Sequence, residues 1–122
     1  MLAGRFDPVA EYATQAALRT VQYLGEASLY AAARTEARHL TTAATNLLGS
    51  GHLDALTARH ELARWTGAAG DAAWARDQLA DLLPTRQRVL GGEHPDTLAT
   101  RSNLAYWTQK ATETRSGKRM ST

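Results

Sequence analysis

The sequence predicts an all-α fold built from repeated helix pairs, about five helices in 122 residues. Three observations predict it. The chain has 24 Ala and 16 Leu but only 3 Val and no Ile. Ala and Leu favour helices, whereas buried strands draw on β-branched aliphatics. Residues 48–67 recur at 90–109, an offset of 42, with ten of 20 positions identical. Glycine and proline then divide the chain into segments of helical length.

The identical pairs include Leu48/Leu90, Gly49/Gly91, His52/His94, Asp54/Asp96, Leu62/Leu104 and Trp65/Trp107. Alanine bias can mimic a few matches, but not paired Trp, His and Gly. A second step of 42 toward the N-terminus leaves a fainter echo, with Gly67 on Gly25, Ala75 on Ala33 and Arg76 on Arg34. Terminal repeats commonly diverge in this way.

Each element has its own local cause. Asp7-Pro8 supplies an acceptor and a fixed φ, so a first helix is expected over about Pro8–Leu24, stopping at Gly25. A second is expected over about Ser28–Leu48, ending at Gly49-Ser50-Gly51. A third covers about Leu53–Thr66, where Leu56, Leu62, Ala63 and Thr66 stand at helical spacing, and Gly67-Ala68-Ala69-Gly70 breaks it. The fourth starts after Asp71, with Ala75, Leu79, Leu82 and Leu83 on one face. Pro84 predicts a kink or restart, because it offers no amide to the carbonyl of Ala80. That helix closes at Gly91-Gly92, and a fifth runs from His94-Pro95-Asp96 to about Lys110. Residues 111–122 are polar and aperiodic and read as a disordered basic tail. The units are thus about 8–49 and 52–91, with a half unit at 94–110.

Charge follows the same division. The chain carries +2 overall. Lys110, Arg115, Lys118 and Arg119 against Glu113 leave +3 after residue 109, and −1 for the rest. The basic balance belongs to the tail, which weakens the case for an anionic partner of the helical part. The twelve arginines form no stripe interleaved with aromatics, so nucleic acid is not the expected partner. With no cysteine, a disulfide scaffold and a thiolate metal site are excluded. No apolar run reaches the roughly 18–20 residues of a membrane-spanning helix. No basic-then-apolar leader is visible either, so a cytoplasmic location and no membrane partner are expected.

The segment from Gly92 to Ala105 resembles the long, 42-residue form of the tetratricopeptide repeat. His-Pro-Asp-Thr is complete at 94–97, Asn-Leu-Ala stands at 103–105, Gly70 occupies the turn between helices, and Ala75 the small position of the second helix. The match is strong over 52–110 and weak over 8–51. In the second unit, Leu53 replaces the proline and Glu61 the asparagine. The resemblance implies a right-handed α-solenoid of antiparallel helix pairs, whose stacked units bury what one pair alone cannot. It also implies a concave groove, lined by the first helix of each pair, that holds an extended peptide or a partner helix.

Carrying the groove positions across residue by residue gives Gln15, Arg19 and Gln22 on the first helix. It gives His60, Glu61 and Arg64 on the third. On the fifth it gives Ser102, Asn103, Tyr106, Gln109 and Lys110. Asn103 can engage a peptide backbone through both its donor and its acceptor, and Arg19 and Arg64 can fork onto a carboxylate. For each of them the alternative is a plain solvated face.

Catalytic patterns are weak. His60-Glu61-Leu62-Ala63-Arg64 puts an arginine where a zinc helix needs its second histidine. Asp77 and Asp81 are one turn apart beside Arg76, which reads as a solvated face. Gly49-Ser50-Gly51-His52 and Ser116-Gly117-Lys118 lack phosphate-loop spacing. His52 and His94, at equivalent linker positions, point to a structural role at the start of the helix that follows. Trp65 and Trp107 read as core, and Trp74 as packing between repeats.

A non-catalytic protein-interaction or assembly module with no cofactor and no metal is therefore expected. The partner would be a peptide or helix, or a second copy reached through a partly open face of Leu98, Leu104 and Trp107. Two other readings are a nucleic-acid-associated regulator working through the basic tail and a small-molecule-binding accessory protein.

Overall fold

A computed structural model describes the backbone of residues 7–120 and the side chains of residues 7–115. It contains α1 (Pro8–Glu26), α2 (Tyr30–Leu48), α3 (Leu53–Ala68), α4 (Ala72–Leu90) and α5 (Pro95–Met120), and no strand among the described residues.

The helix starts are set by short-range acceptors. Asp7 Oδ1 accepts from the amide of Ala10 at 3.0 Å, and Asp71 Oδ1 from that of Trp74 at 3.0 Å. His52 Nδ1 accepts from the amide of Asp54, and His94 Nδ1 from that of Asp96, each at 3.0 Å. The paired linker histidines are N-caps, each satisfying an amide that the first turn leaves free. At the other end, Gly49 and Gly91 close α2 and α4 with φ of +98° and +95°. A side chain is strained at such an angle, so glycine recurs there 42 residues apart.

Five features differ from expectation. Gly25 does not stop α1, and Gly67 does not break α3; each lies buried inside its helix. α2 begins at Tyr30 rather than Ser28, because Ser28 takes a left-handed φ of +65° and Leu29, standing where α4 has Asp71, makes no side-chain cap. α4 runs through Pro84 as one helix. The expected tail is corrected over 111–120, since α5 continues to Met120; residues 121–122 lie outside the described residues. Helix-compatible residues and a pair such as Lys110 Nζ to Glu113 Oε1 at 3.6 Å carry the helix on without any apolar period.

Each helix packs on the next in sequence. In addition α1 touches α3 and α3 touches α5, whereas no Cα of α2 comes within 8 Å of α4. The odd-numbered helices therefore crowd together and the even-numbered ones splay apart. Two buried clusters follow. Leu18, Val21, Ala33, Ala37, Ala58 and Trp65 join α1, α2 and α3. Leu56, Ala63, Ala75, Leu79, Leu82 and Trp107 join α3, α4 and α5. Both tryptophans are core, as read from the sequence, and Trp74 is half-buried. Trp107 is 8 % exposed and Leu104 half-buried, so the α5 face expected to lie partly open is covered at Trp107 and in part at Leu104. Of that face Leu98 remains exposed.

Candidate functional site

Crowding of the odd-numbered helices puts a cleft of about 410 Å³ on their side of the molecule. Gln22 reaches it from α1. Thr57, His60, Glu61 and Arg64 line it from α3, Asp96, Ala99 and Asn103 from α5, and Arg86 of α4 closes it from below. A second cavity of about 630 Å³ adjoins it through the shared Arg64 and Asn103. Its other walls are Tyr30, Trp65, Gly67, Ala68, Ser102, Tyr106 and Trp107.

The structure thus brings together seven of the predicted groove residues across the two cavities: Gln22, His60, Glu61, Arg64, Ser102, Asn103 and Tyr106. Gln15, Arg19, Gln109 and Lys110 line neither. Gln15 Nε2 reaches Asp54 Oδ2 at 3.4 Å, Arg19 and Gln109 are exposed, and Lys110 lies 5.6 Å from the centre of the Tyr106 ring.

His60 and Glu61 are buried, not the solvated groove face that the sequence suggests. Arg86 is the reason for His60. Arg86 is 3 % exposed, and its NH1 donates to Thr100 Oγ1 at 2.8 Å, to the carbonyl of Asp96 at 3.2 Å and to His60 Nδ1 at 3.3 Å. Its NH2 donates to Thr57 Oγ1 at 3.2 Å. One side chain of α4 thereby ties α3 to α5. Every one of these acceptors is neutral, and among the described residues no carboxylate oxygen lies within 4 Å of the Arg86 guanidinium, although the Asp96 and Glu61 charges act on it from farther off. Burial, then the charges of Arg86 and Arg64, pull the His60 imidazole down to about 4. His60 is neutral at physiological pH, with Nδ1 turned to Arg86 as an acceptor.

Glu61 serves the first core cluster. Its Oε1 accepts from Trp65 Nε1 at 3.0 Å, and its Oε2 lies 4.0 Å from Arg64 NH1. Burial pushes the Glu61 carboxyl above its ordinary value, against the pull of Arg64 and the indole. The Arg64 guanidinium stacks 4.3 Å above the Trp65 ring, and Tyr30 stacks on the same indole at 5.9 Å between centroids.

Sequence reasoning missed Thr57, Arg86, Asp96 and Thr100. A signal for the last cluster exists in the repeat. Ala44, Ala55 and Ala58, all fully buried, stand 42 residues before Arg86, Thr97 and Thr100. Each small apolar residue is replaced, one repeat length later, by a buried polar one. Buried polar groups need partners, so the three changes are expected to meet.

Guanidinium, amide, imidazole and carboxyl groups line the cleft. Among the described residues no three His, Asp or Glu side chains gather closely enough to hold a metal ion. No helix among them is long and apolar enough to cross a membrane. The class defined by fold and site is an all-α protein of consecutively packed helix pairs with a polar cleft along its odd-numbered helices. No protein-family model, curated protein or solved structure matches the chain.

Proposed function

We propose that this chain is a tetratricopeptide-like solenoid module that binds a protein partner by taking an extended peptide into the cleft of α1, α3 and α5. One observation carries the reading. The odd-numbered helices contact each other in turn while α2 and α4 stand apart, so the surface curves inward where Gln22, Arg64 and Asn103 lie. Curvature of this kind suits an extended ligand that touches several repeats. The donors and acceptors along it suit a peptide backbone, and the site needs no reacting group to do this work.

Selection of peptides from a random display library against the full chain tests the reading. Amide shifts of the selected binders should map to Gln22, Thr57, Arg64 and Asn103. Arg64→Ala and Asn103→Ala should each weaken binding by about tenfold, the scale of a hydrogen bond to a charged group. Binders that map to α2 and α4, or that both variants hold unchanged, would overturn it.

A further inference from the structure

The two repeats solve one problem differently. In α3 the indole N–H of Trp65 donates to Glu61, one turn earlier in the same helix. In α5 the equivalent pair is Trp107 and Asn103. Asparagine is one methylene shorter than glutamate, and Asn103 instead donates through Nδ2 to the carbonyl of Ala99 at 2.9 Å. Trp107 Nε1 is consequently buried with no hydrogen-bond partner. A buried indole N–H without an acceptor gives up the hydrogen bond it makes to water in the unfolded chain, and native structures rarely leave one so.

The surroundings supply one. Trp107 and Asn103 both line the cavity of about 630 Å³. Arg64 lines it as well, with its side chain 41 % exposed, its guanidinium stacked on the Trp65 ring and its NH1 4.0 Å from Glu61 Oε2. Tyr106 completes the wall, edge-on to Trp107 at 4.7 Å between centroids. An unpaired indole donor and a partly exposed guanidinium on one cavity suit an occupant that accepts hydrogen bonds and carries negative charge. The chain's own choice at the equivalent point of α3 is a glutamate.

We infer that the cavity beside Trp107 takes an acidic side chain of a bound peptide, whose carboxylate accepts from Trp107 Nε1 and faces Arg64. The partner thereby supplies to α5 what Glu61 supplies to α3. The inference rests on the peptide-binding reading above and names the residue class that reading leaves open.

The test uses the full chain labelled with nitrogen-15, whose three indole N–H resonances are assigned from single Trp→Phe variants. The probes are an acetylated, amidated Ala-Ala-Glu-Ala-Ala peptide and its glutamine counterpart. The glutamate peptide should move the Trp107 indole resonance downfield and saturably, and the glutamine peptide should bind about tenfold more weakly or worse, as a charged acceptor outweighs a neutral one. Trp107→Phe, which keeps a benzenoid ring but loses the pyrrole ring and its N–H donor, should weaken the glutamate peptide to the same degree. Asn103→Glu should move the Trp107 resonance downfield with no peptide present and abolish the response, because the variant fills its own site. A silent Trp107, equal binding of both peptides, or an unchanged response in Asn103→Glu overturns the inference. If backbone amides of Gln22 and Thr57 shift while Trp107 stays silent, the inference falls and the cleft reading stands.

Discussion

The indole of Trp65 lies on Gly25, so closely that a Cβ at Gly25 would fall within the van der Waals radii of Cδ2, Cε2 and Cζ2 of that ring. Forty-two residues on, Trp107 lies on Gly67 through the same three atoms, the nearest 2.8 Å from where a Cβ would stand. A glycine on one odd-numbered helix and a tryptophan on the next set how closely those helices approach. At the corresponding place in α5 stands Gln109, so α5 does not present that notch again.

Gly67→Ala should cost about 1–3 kcal/mol, the range for forcing a methyl into a packed site, and Gly25→Ala should cost more. Gly51→Ala, with open space around it, should stay within about 0.5 kcal/mol. Urea denaturation midpoints check all three. Combining Gly25→Ala with Trp65→Leu should cost less than the sum of the single changes, because the clash disappears with the ring.

Acid should destabilise the fold through His60. Its folded pKa of about 4 lies below the ordinary 6.5, so between those values the unfolded chain binds the proton more readily. Stability should therefore fall as pH drops from 6.5 toward 4, by up to about 3 kcal/mol from this group. Glu61 acts oppositely, because its raised pKa favours the folded state at low pH and that contribution is lost as pH rises through it. A His60→Gln variant should show a shallower acid limb in midpoint-against-pH plots. An unchanged limb would mean that His60 is not the group responsible.

Removing Arg86 should loosen the junction of α3, α4 and α5. Arg86→Ala deprives Thr57, Thr100, His60 and the Asp96 carbonyl of a charged donor and should cost about 2–4 kcal/mol. Hydrogen exchange should rise first in the first turns of α5. Exchange that rises only in α1 and α2 would contradict the assignment.

The two linker histidines should differ in worth. His94→Ala removes a cap and should cost about 1 kcal/mol. His52→Ala removes the same cap and also the contact from Nε2 to Glu11 Oε1 at 2.7 Å, which ties α3 to α1. Its cost should be the larger of the two. Glu11→Ala should remove most of the difference in thermal unfolding.

Cutting the chain after Lys110 should lower the far-ultraviolet helical signal while leaving the unfolding midpoint nearly unchanged. The ion pair of Lys110 with Glu113 is exposed, and such pairs are worth about 0–1 kcal/mol. A collapse of the midpoint would show that residues 111–120 support the core.

What the sequence determined by itself lay within a few residues of its cause. Asp7, Asp71, His52 and His94 start helices through their own side chains, and Gly49 and Gly91 end them through their own φ. The five helices and the 42-residue spacing were legible for that reason. So were the core tryptophans, since their period and apolar neighbours travel with them. Tertiary structure decided whatever depended on a distant partner. Gly25 reads as a stop, yet it is a notch for a ring forty residues away. His60 and Glu61 read as an open face, yet they are enclosed once Arg86 arrives from α4 and Trp65 turns to meet Glu61. Local signals persist in an isolated segment, whereas these contacts exist only when helices distant in sequence are brought side by side. That is also why Thr57, Arg86, Asp96 and the unpaired indole of Trp107 were not legible in the sequence.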